Sequence, residues 1–508
     1  MTGGPVVHSD ESGALNDPRF RSFFQLRELQ KGSSLMKRTA FLPYVCCVVM
    51  LLATSGCRQS PMENENPGEA AESERYVPTI VTGDIQAGIE KHIAEEVARG
   101  NGHFTVPFEG KELRLRLVRV HVEYLASLAP QRHFACVDMA SEDGQFYDID
   151  FFMEGDPGSM KVTETTVHKL NGRPYYLWKQ NEDKHWVRAP VDDASDVLLG
   201  VLTGKDAFEF RYQAVLPELA EAAKCWLPLA DSDDYQKVEI KSITTPGKRR
   251  ILTDSAHGNR VLFLELGAAD SGSTIEIVYQ VERIEKKAYP GDAVAAQAHL
   301  KPERMVPLNE RIKAEAEKAV AGREGVLQRA RALYDHVMEQ MRYMKFGEGW
   351  GQGDAMYVCD SLYGNCTDYH SYFIALARAV GIPARFAIGV AIPSERNDGG
   401  TDGYHCWAEF YADGKWWPID ISEADKFSAL SMYYFGHHPA NRFEFSRGRD
   451  LLLDPGPASG PINFLAYPYL EVAGERKPVK TLFLFRRDGC GNGCASDAIT
   501  AKVKTVDI

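Results

Sequence analysis

The sequence predicts a multidomain α+β protein, with a small α+β unit, a β-sandwich-like unit and a C-terminal α/β unit in succession. Three observations predict it. The 508 residues correspond to about three domains of ordinary size. Runs of alternating apolar and polar residues fill much of residues 113–288, the period of half-buried strands. After Pro290 the period lengthens to that of helices, and a strand and a hairpin follow. With 44% hydrophobic and 25% charged residues the composition is that of a globular chain. The formal net charge of −13 argues against broad nucleic-acid binding, which needs a basic face.

Residues 1–35 are polar and irregular and read as an untranslated or disordered upstream segment. "MKRTAFLPYVCCVVMLLATSGC" follows at 36–57. Lys37 and Arg38 give a basic start, Phe41 to Ala53 an apolar run too short to span a membrane comfortably, and Thr54, Ser55 and Gly56 small residues before Cys57. This is the layout of a signal peptide over 36–56. Its Ser-Gly-Cys ending resembles a bacterial lipoprotein signal, which makes Cys57 the expected lipid attachment point and the cell envelope the expected location, periplasmic or outer-surface. Residues 57–78, rich in Glu, Asn, Pro and Ser, read as a tether. Seven cysteines remain beyond Cys57: Cys136, Cys225, Cys359, Cys366, Cys406, Cys490 and Cys494. An odd number leaves at least one unpaired within the chain. Cys490 and Cys494 flank a Gly-Asn-Gly turn that could let them bridge.

The small α+β unit is expected over 79–195. "DIQAGIEKHIAEEVA" has helical periodicity, and "LRLRLVRVHVEYL", "HFACVDMA", "FYDIDFFM", "TETTVHKLNG" and "PYYLWKQ" read as strands. His121, His133 and His168 show no ligand spacing and read as structural histidines. The β-sandwich-like unit is expected over 205–290, where "RVLFLELG" and "TIEIVYQVERIEKKAY" alternate between Gly, Ser and Asp turns.

The third unit is expected over 300–480, with 481–508 as a tail. "NERIKAEAEKAVAG" and "GVLQRARALYDHVMEQM" are helices, and "GEGWGQGD" is a glycine-rich loop without the Lys-Ser/Thr ending of a phosphate loop. In "YGNCTDYHSYF" Asn365 caps a helix that begins at Cys366, and the charge of Asp368 suits the first turn. Tyr369, Phe373, Leu376, Ala377 and Val380 form the buried stripe, and Gly381 and Pro383 end the helix. Cys366 falls inside the stripe, at a helix end whose free N–H groups lower a thiol's pKa. "ARFAIGVAI" is a strand, "PSERNDGGTDG" a polar loop, and "YHCWAEFYADGKWWPIDIS" a hairpin turning at Asp413-Gly414. Counting outward from that turn pairs Trp407 with Asp420, so His405 and Asp420 share one face as diagonal neighbours.

Cysteine on a helix terminus with histidine and aspartate on a hairpin supplies a nucleophile, a base and a group to orient the base. "GNCTDYHS", "GIPARF", "GYHCWAEFY" and "WWPIDISEADK" in this order, with "GRDLLLDP" and "INFLAYPYLEV" beyond, resemble the transglutaminase-like superfamily in its bacterial exported branch. The resemblance implies a papain-like α/β fold and a triad of Cys366, His405 and Asp420, and it selects His405 over His370 as the base. It implies thiolate attack on an amide carbonyl, in peptide hydrolysis or acyl transfer, with protein, peptide or cell-wall peptide as substrate and no cofactor. The Cys366 N–H is the natural oxyanion donor. Trp350 is a candidate second donor whose surroundings do not match the family pattern. Cys406 points to the opposite strand face from His405 and reads as a packed cysteine, and His370 as structural. Two alternatives stand beside the enzyme: a catalytically silent envelope scaffold, and a zinc set drawn from Cys359, Cys366, His370 and His405 or Cys406.

Overall fold

Helix Thr82–Arg99 buries Ile85, Ile89 and Ile93 along one side, as spacings of four demand. In the computed structural model, which describes residues 80–122, 125–129, 131–180, 186–191, 200–426 and 430–488, this stripe packs on a seven-stranded sheet. The signal segment, the tether with Cys57, and Cys490 with Cys494 lie outside the described residues. Within the sheet Phe104–Phe108, Lys111–Val120, Arg132–Ser141, Phe146–Glu154, Lys161–Leu170 and Arg173–Pro174 follow one another, and Ala126–Ala129 pairs with Arg132–Ser141. Leu115, Val137, Met139, Ile149 and Phe151 meet the helix in one core.

Two five-stranded sheets come next. One orders Gln236–Thr244, Thr274–Ile284, Lys205–Val215, Lys480–Arg487 and Asp398–Gly400; the other orders Lys248–Thr253, Arg260–Leu266, Ala223–Leu229, Tyr469–Val472 and Glu475–Lys477. Phe208, Phe210 and Tyr212 from the first share a core with Cys225, Leu227 and Leu264 from the second. Residues 480–487 correct the reading of 481–508 as a tail. "KTLFLFRR" alternates, so Phe483 and Phe485 turn inward, and the Phe483 ring packs against Phe210 and Tyr212. This strand also recruits Asp398–Gly400 from the loop expected at 393–403.

The third sheet orders Tyr289–Pro290, Lys415–Ile419, His405–Ala412, Ala384–Ala391 and Arg442–Arg447. Helix Cys366–Ala379 lies against it, with Phe373 beside Phe410. Its burial on all sides is consistent with the near absence of charge between Tyr369 and Ala377. Helices Glu310–Ala319, Val326–Gln340 and Ala355–Ser361 surround it. Asp413 and Gly414 both take positive φ, 53° and 78°, the two-residue turn that suits a tight hairpin. Ala412 then pairs with Lys415 and Ala408 with Ile419.

Candidate active site

Asn365 fixes the start of the Cys366 helix. Its side chain accepts from the Thr367 N–H at 2.9 Å, and its own N–H donates to Asp368 at 2.9 Å. The second oxygen of that carboxylate and the first also accept from the glycine-rich loop, from Gly353 at 3.0 Å and Gly351 at 2.7 Å. A side chain at Gly364 would put its Cβ 2.3 Å from Asp368 Oδ2, so glycine there makes room for the carboxylate. Burial pushes Asp368 up to about 6, against the pull of the three N–H groups. The loop that carries Trp350 is thus tied to the helix end.

The hairpin delivers His405 and Asp420 as its parity requires. His405 Nε2 lies 2.6 Å from Asp420 Oδ2. The Cys366 sulfur is close enough to raise the imidazole's pKa, and Asp420 leaves the other ring nitrogen for the thiol. Asp420 is fully buried, and its Oδ1 accepts from Ser422 Oγ at 3.1 Å and the Glu423 N–H at 3.2 Å. Arg442 Nη2 stands 3.4 Å from Oδ2. The structure therefore brings together Cys366, His405 and Asp420.

The electrostatics follow from this geometry. Burial raises a carboxylate, yet His405, then His370 and Arg442, hold Asp420 well below the ordinary range. Burial disfavours an imidazolium, yet Asp420 and the sulfur lift His405 to about 9. Burial also opposes a thiolate, but hydrogen bonds from Cys406 and His405 bring Cys366 well below the usual thiol value. These directions favour a thiolate–imidazolium pair backed by a carboxylate.

Three further residues build the site. Cys406 does share its strand face with Ala408 and Phe410 in the helix-side core, as alternation predicts. Its thiol and N–H also lower the pKa of Cys366, because Cys366 sits near the start of this strand. His370 is structural: its Nε2 accepts the Ile421 N–H at 3.0 Å, so Nδ1 carries the proton and donates to the Cys366 carbonyl at 2.7 Å. Burial lowers the pKa of this ring. Tyr404 accepts from Asn365 Nδ2 at 2.8 Å and Thr367 Oγ1 at 3.0 Å. Its place beside His405 and on the face of Cys406 was the available signal. The zinc set suggested by Cys359, Cys366, His370 and His405 or Cys406 does not converge. Among the described residues, donors within 4.8 Å of one another gather elsewhere. The five described cysteines are free thiols.

A cysteine at the N-terminus of a buried helix, facing a sheet whose hairpin holds histidine against aspartate, is the papain-like arrangement. Residues 313–421 match the model of the transglutaminase-like superfamily, and the chain carries a domain of that superfamily. An uncharacterized protein of Haemophilus influenzae is 27% identical over 325 residues, 54% of this chain and 88% of that one. Two solved structures are similar at low overlap. One is an inferred cysteine protease from Cytophaga hutchinsonii, with a TM-score of 0.40, 18% identity, and coverage of 55% of this chain and 91% of that one. The other is the periplasmic domain of TgpA from Pseudomonas aeruginosa, with a TM-score of 0.25, 12% identity, and coverage of 47% and 94%.

Proposed function

We propose that this chain is a cell-envelope thiol enzyme that cleaves amide bonds of protein or peptide substrates through Cys366, His405 and Asp420. The observation that carries the reading is the His405 ring, held at 2.6 Å by Asp420 through Nε2, with the Cys366 sulfur close enough to raise its pKa. The Cys366 thiolate attacks the carbonyl carbon, and the amide's π electrons move to oxygen, beside the N–H groups of the first helical turn. Collapse of the tetrahedral intermediate breaks the C–N bond, and His405 gives its proton to the departing amine. Water, deprotonated by His405, then attacks the thioester and releases acid and thiol. An amine in place of that water would make the same acyl-enzyme an acyltransferase. The basic, apolar and small-residue succession before Cys57 supports export and lipid anchoring, and with them a cell-wall peptide as one substrate. Among the described residues no helix is long and apolar enough to cross a membrane.

Alkylation by iodoacetamide at pH 6–7 tests the reading, with Cys366 modified far faster than free cysteine and slowed in His405→Ala. Labelling no faster than free cysteine would instead mark a catalytically silent scaffold. Incubating the enzyme with an envelope extract and weighing the acyl group trapped on Cys366 then identifies the substrate.

A further inference from the structure

The seven-stranded sheet has a second face, turned away from helix Thr82–Arg99, and it is polar where burial calls for apolar residues. Strands Arg132–Ser141 and Phe146–Glu154 pair so that Cys136 stands opposite Asp150 and Asp138 opposite Asp148. Period-two alternation sends Val137, Met139, Ile149 and Phe151 to the helix and these four residues to the other side. In the next strand the register slips, with Asp148 opposite Lys169 and Ile149 opposite Val167. His168 is the extra residue of that bulge.

Cys136, Asp148, Asp150 and His168 offer donor atoms all within 4.8 Å of one another. Cys136 is 3%, Asp148 1% and Asp150 0% exposed. Cys136 Sγ lies 2.7 Å from Asp148 Oδ1, and His168 Nδ1 lies 3.6 Å from Asp150 Oδ1 and 3.9 Å from Asp148 Oδ1. The outward atoms are held by other groups. Lys169 Nζ meets Asp148 Oδ2 at 2.7 Å, and the Tyr176 hydroxyl donates to Asp150 Oδ2 at 2.7 Å. His168 Nε2 lies 3.1 Å from the Tyr176 carbonyl. A carbonyl only accepts, so Nε2 carries a proton and Nδ1 is the ring nitrogen turned inward. That Nδ1 is buried without a hydrogen-bond partner.

A thiol, two carboxylate oxygens and an imidazole nitrogen thus converge on one buried point, each oriented from behind, as ligands of a metal are. One sulfur, one nitrogen and two oxygens suit a four-coordinate borderline cation, whereas calcium and magnesium take oxygen shells. Neighbouring Asp138 already has its cation, since Arg331 Nη1 stands at 2.8 Å and His121 Nε2 at 2.8 Å. We propose that Cys136, Asp148, Asp150 and His168 bind one zinc ion in a closed structural site that clips three strands together. Binding replaces the proton shared by Cys136 and Asp148: the S–H bond breaks, an S–Zn bond forms, and the proton leaves to solvent. The site is independent of Cys366.

The test uses the full chain, stripped with a chelator and retitrated with zinc. One zinc per chain is expected in wild type and Cys366→Ala, with release of about one proton per ion near pH 7. Cobalt(II) in its place should give a thiolate-to-metal absorption band in the near ultraviolet, kept in Cys366→Ala and lost in Cys136→Ser. His168→Gln, a milder change that guards against misfolding of Cys136→Ser, should weaken zinc binding at least about tenfold. Folded wild type that takes up neither ion, or a cobalt band that vanishes with Cys366 rather than Cys136, overturns the proposal.

Discussion

Asn365 donates its side-chain amide to the Tyr404 hydroxyl at 2.8 Å, and each partner is the chain neighbour of a residue of the proposed triad. The bond joins the helix end that holds Cys366 to the strand end that holds His405. Tyr404→Phe keeps the ring and removes the acceptor of both Asn365 and Thr367. A stability loss of about 1–3 kcal/mol is expected in urea unfolding. Alkylation of Cys366 should slow roughly tenfold, the equivalent of about 1.4 kcal/mol in aligning the pair.

The paired titrations set a pH window. His405 is raised to about 9, so its contribution to stability is fully present below the ordinary imidazole value and lost as pH rises through about 9. Cys366 is depressed, so its contribution is present above the ordinary thiol value and lost as pH falls through its lowered one. Amide cleavage needs the imidazolium as proton donor and should decline above about pH 9. Alkylation needs only the thiolate and should not decline there. In His405→Ala, alkylation should start to rise only at about the pH of an ordinary thiol or above.

Asp420 orients His405 and also faces Arg442, both buried. Asp420→Asn should cut turnover by about 10²–10⁴ while the fold persists, because the ring loses its orientation and the partner of its charge. Asp420→Ala leaves Arg442 a buried charge without its carboxylate, with an expected cost of about 3–5 kcal/mol in denaturant unfolding.

Asp368 has the opposite sign to most paired carboxylates. Its folded value, about 6, lies above the ordinary 3.8, so protonation favours the folded state. The contribution is full below the ordinary value and lost as pH rises to about 6, a change of about 3 kcal/mol. Unfolding curves between pH 4 and 7 for wild type and Asp368→Asn check this, and the variant should lack that slope.

What could be read without coordinates was whatever local chemistry fixes. Asn365 and Asp368 bracket the helix start, and Asp413-Gly414 sets the hairpin parity, so His405 and Asp420 were placed on one face from the sequence. Cys406 was assigned to the correct face, but its contact with Cys366 depends on where a helix ends against a strand, and spacing carries no such information. The Cys136–His168 cluster was hidden for a related reason. It needs three strands in register plus a bulge at His168, and the histidine alone looks like any other. The strand at 480–487 was lost because its partner lies more than 250 positions earlier, far outside any periodic window.

Strand Lys480–Arg487 lies between Lys205–Val215 and Asp398–Gly400. During synthesis the sheet begun near residue 205 must therefore wait for residues 480–487 to leave the ribosome before it closes. Until then Lys205–Val215 keeps one edge of unmet amide and carbonyl groups above a row of aromatic rings, a template for pairing with another nascent chain. A recombinant fragment cut at residue 480 would carry that open edge permanently, so expression boundaries for this protein belong beyond Arg487.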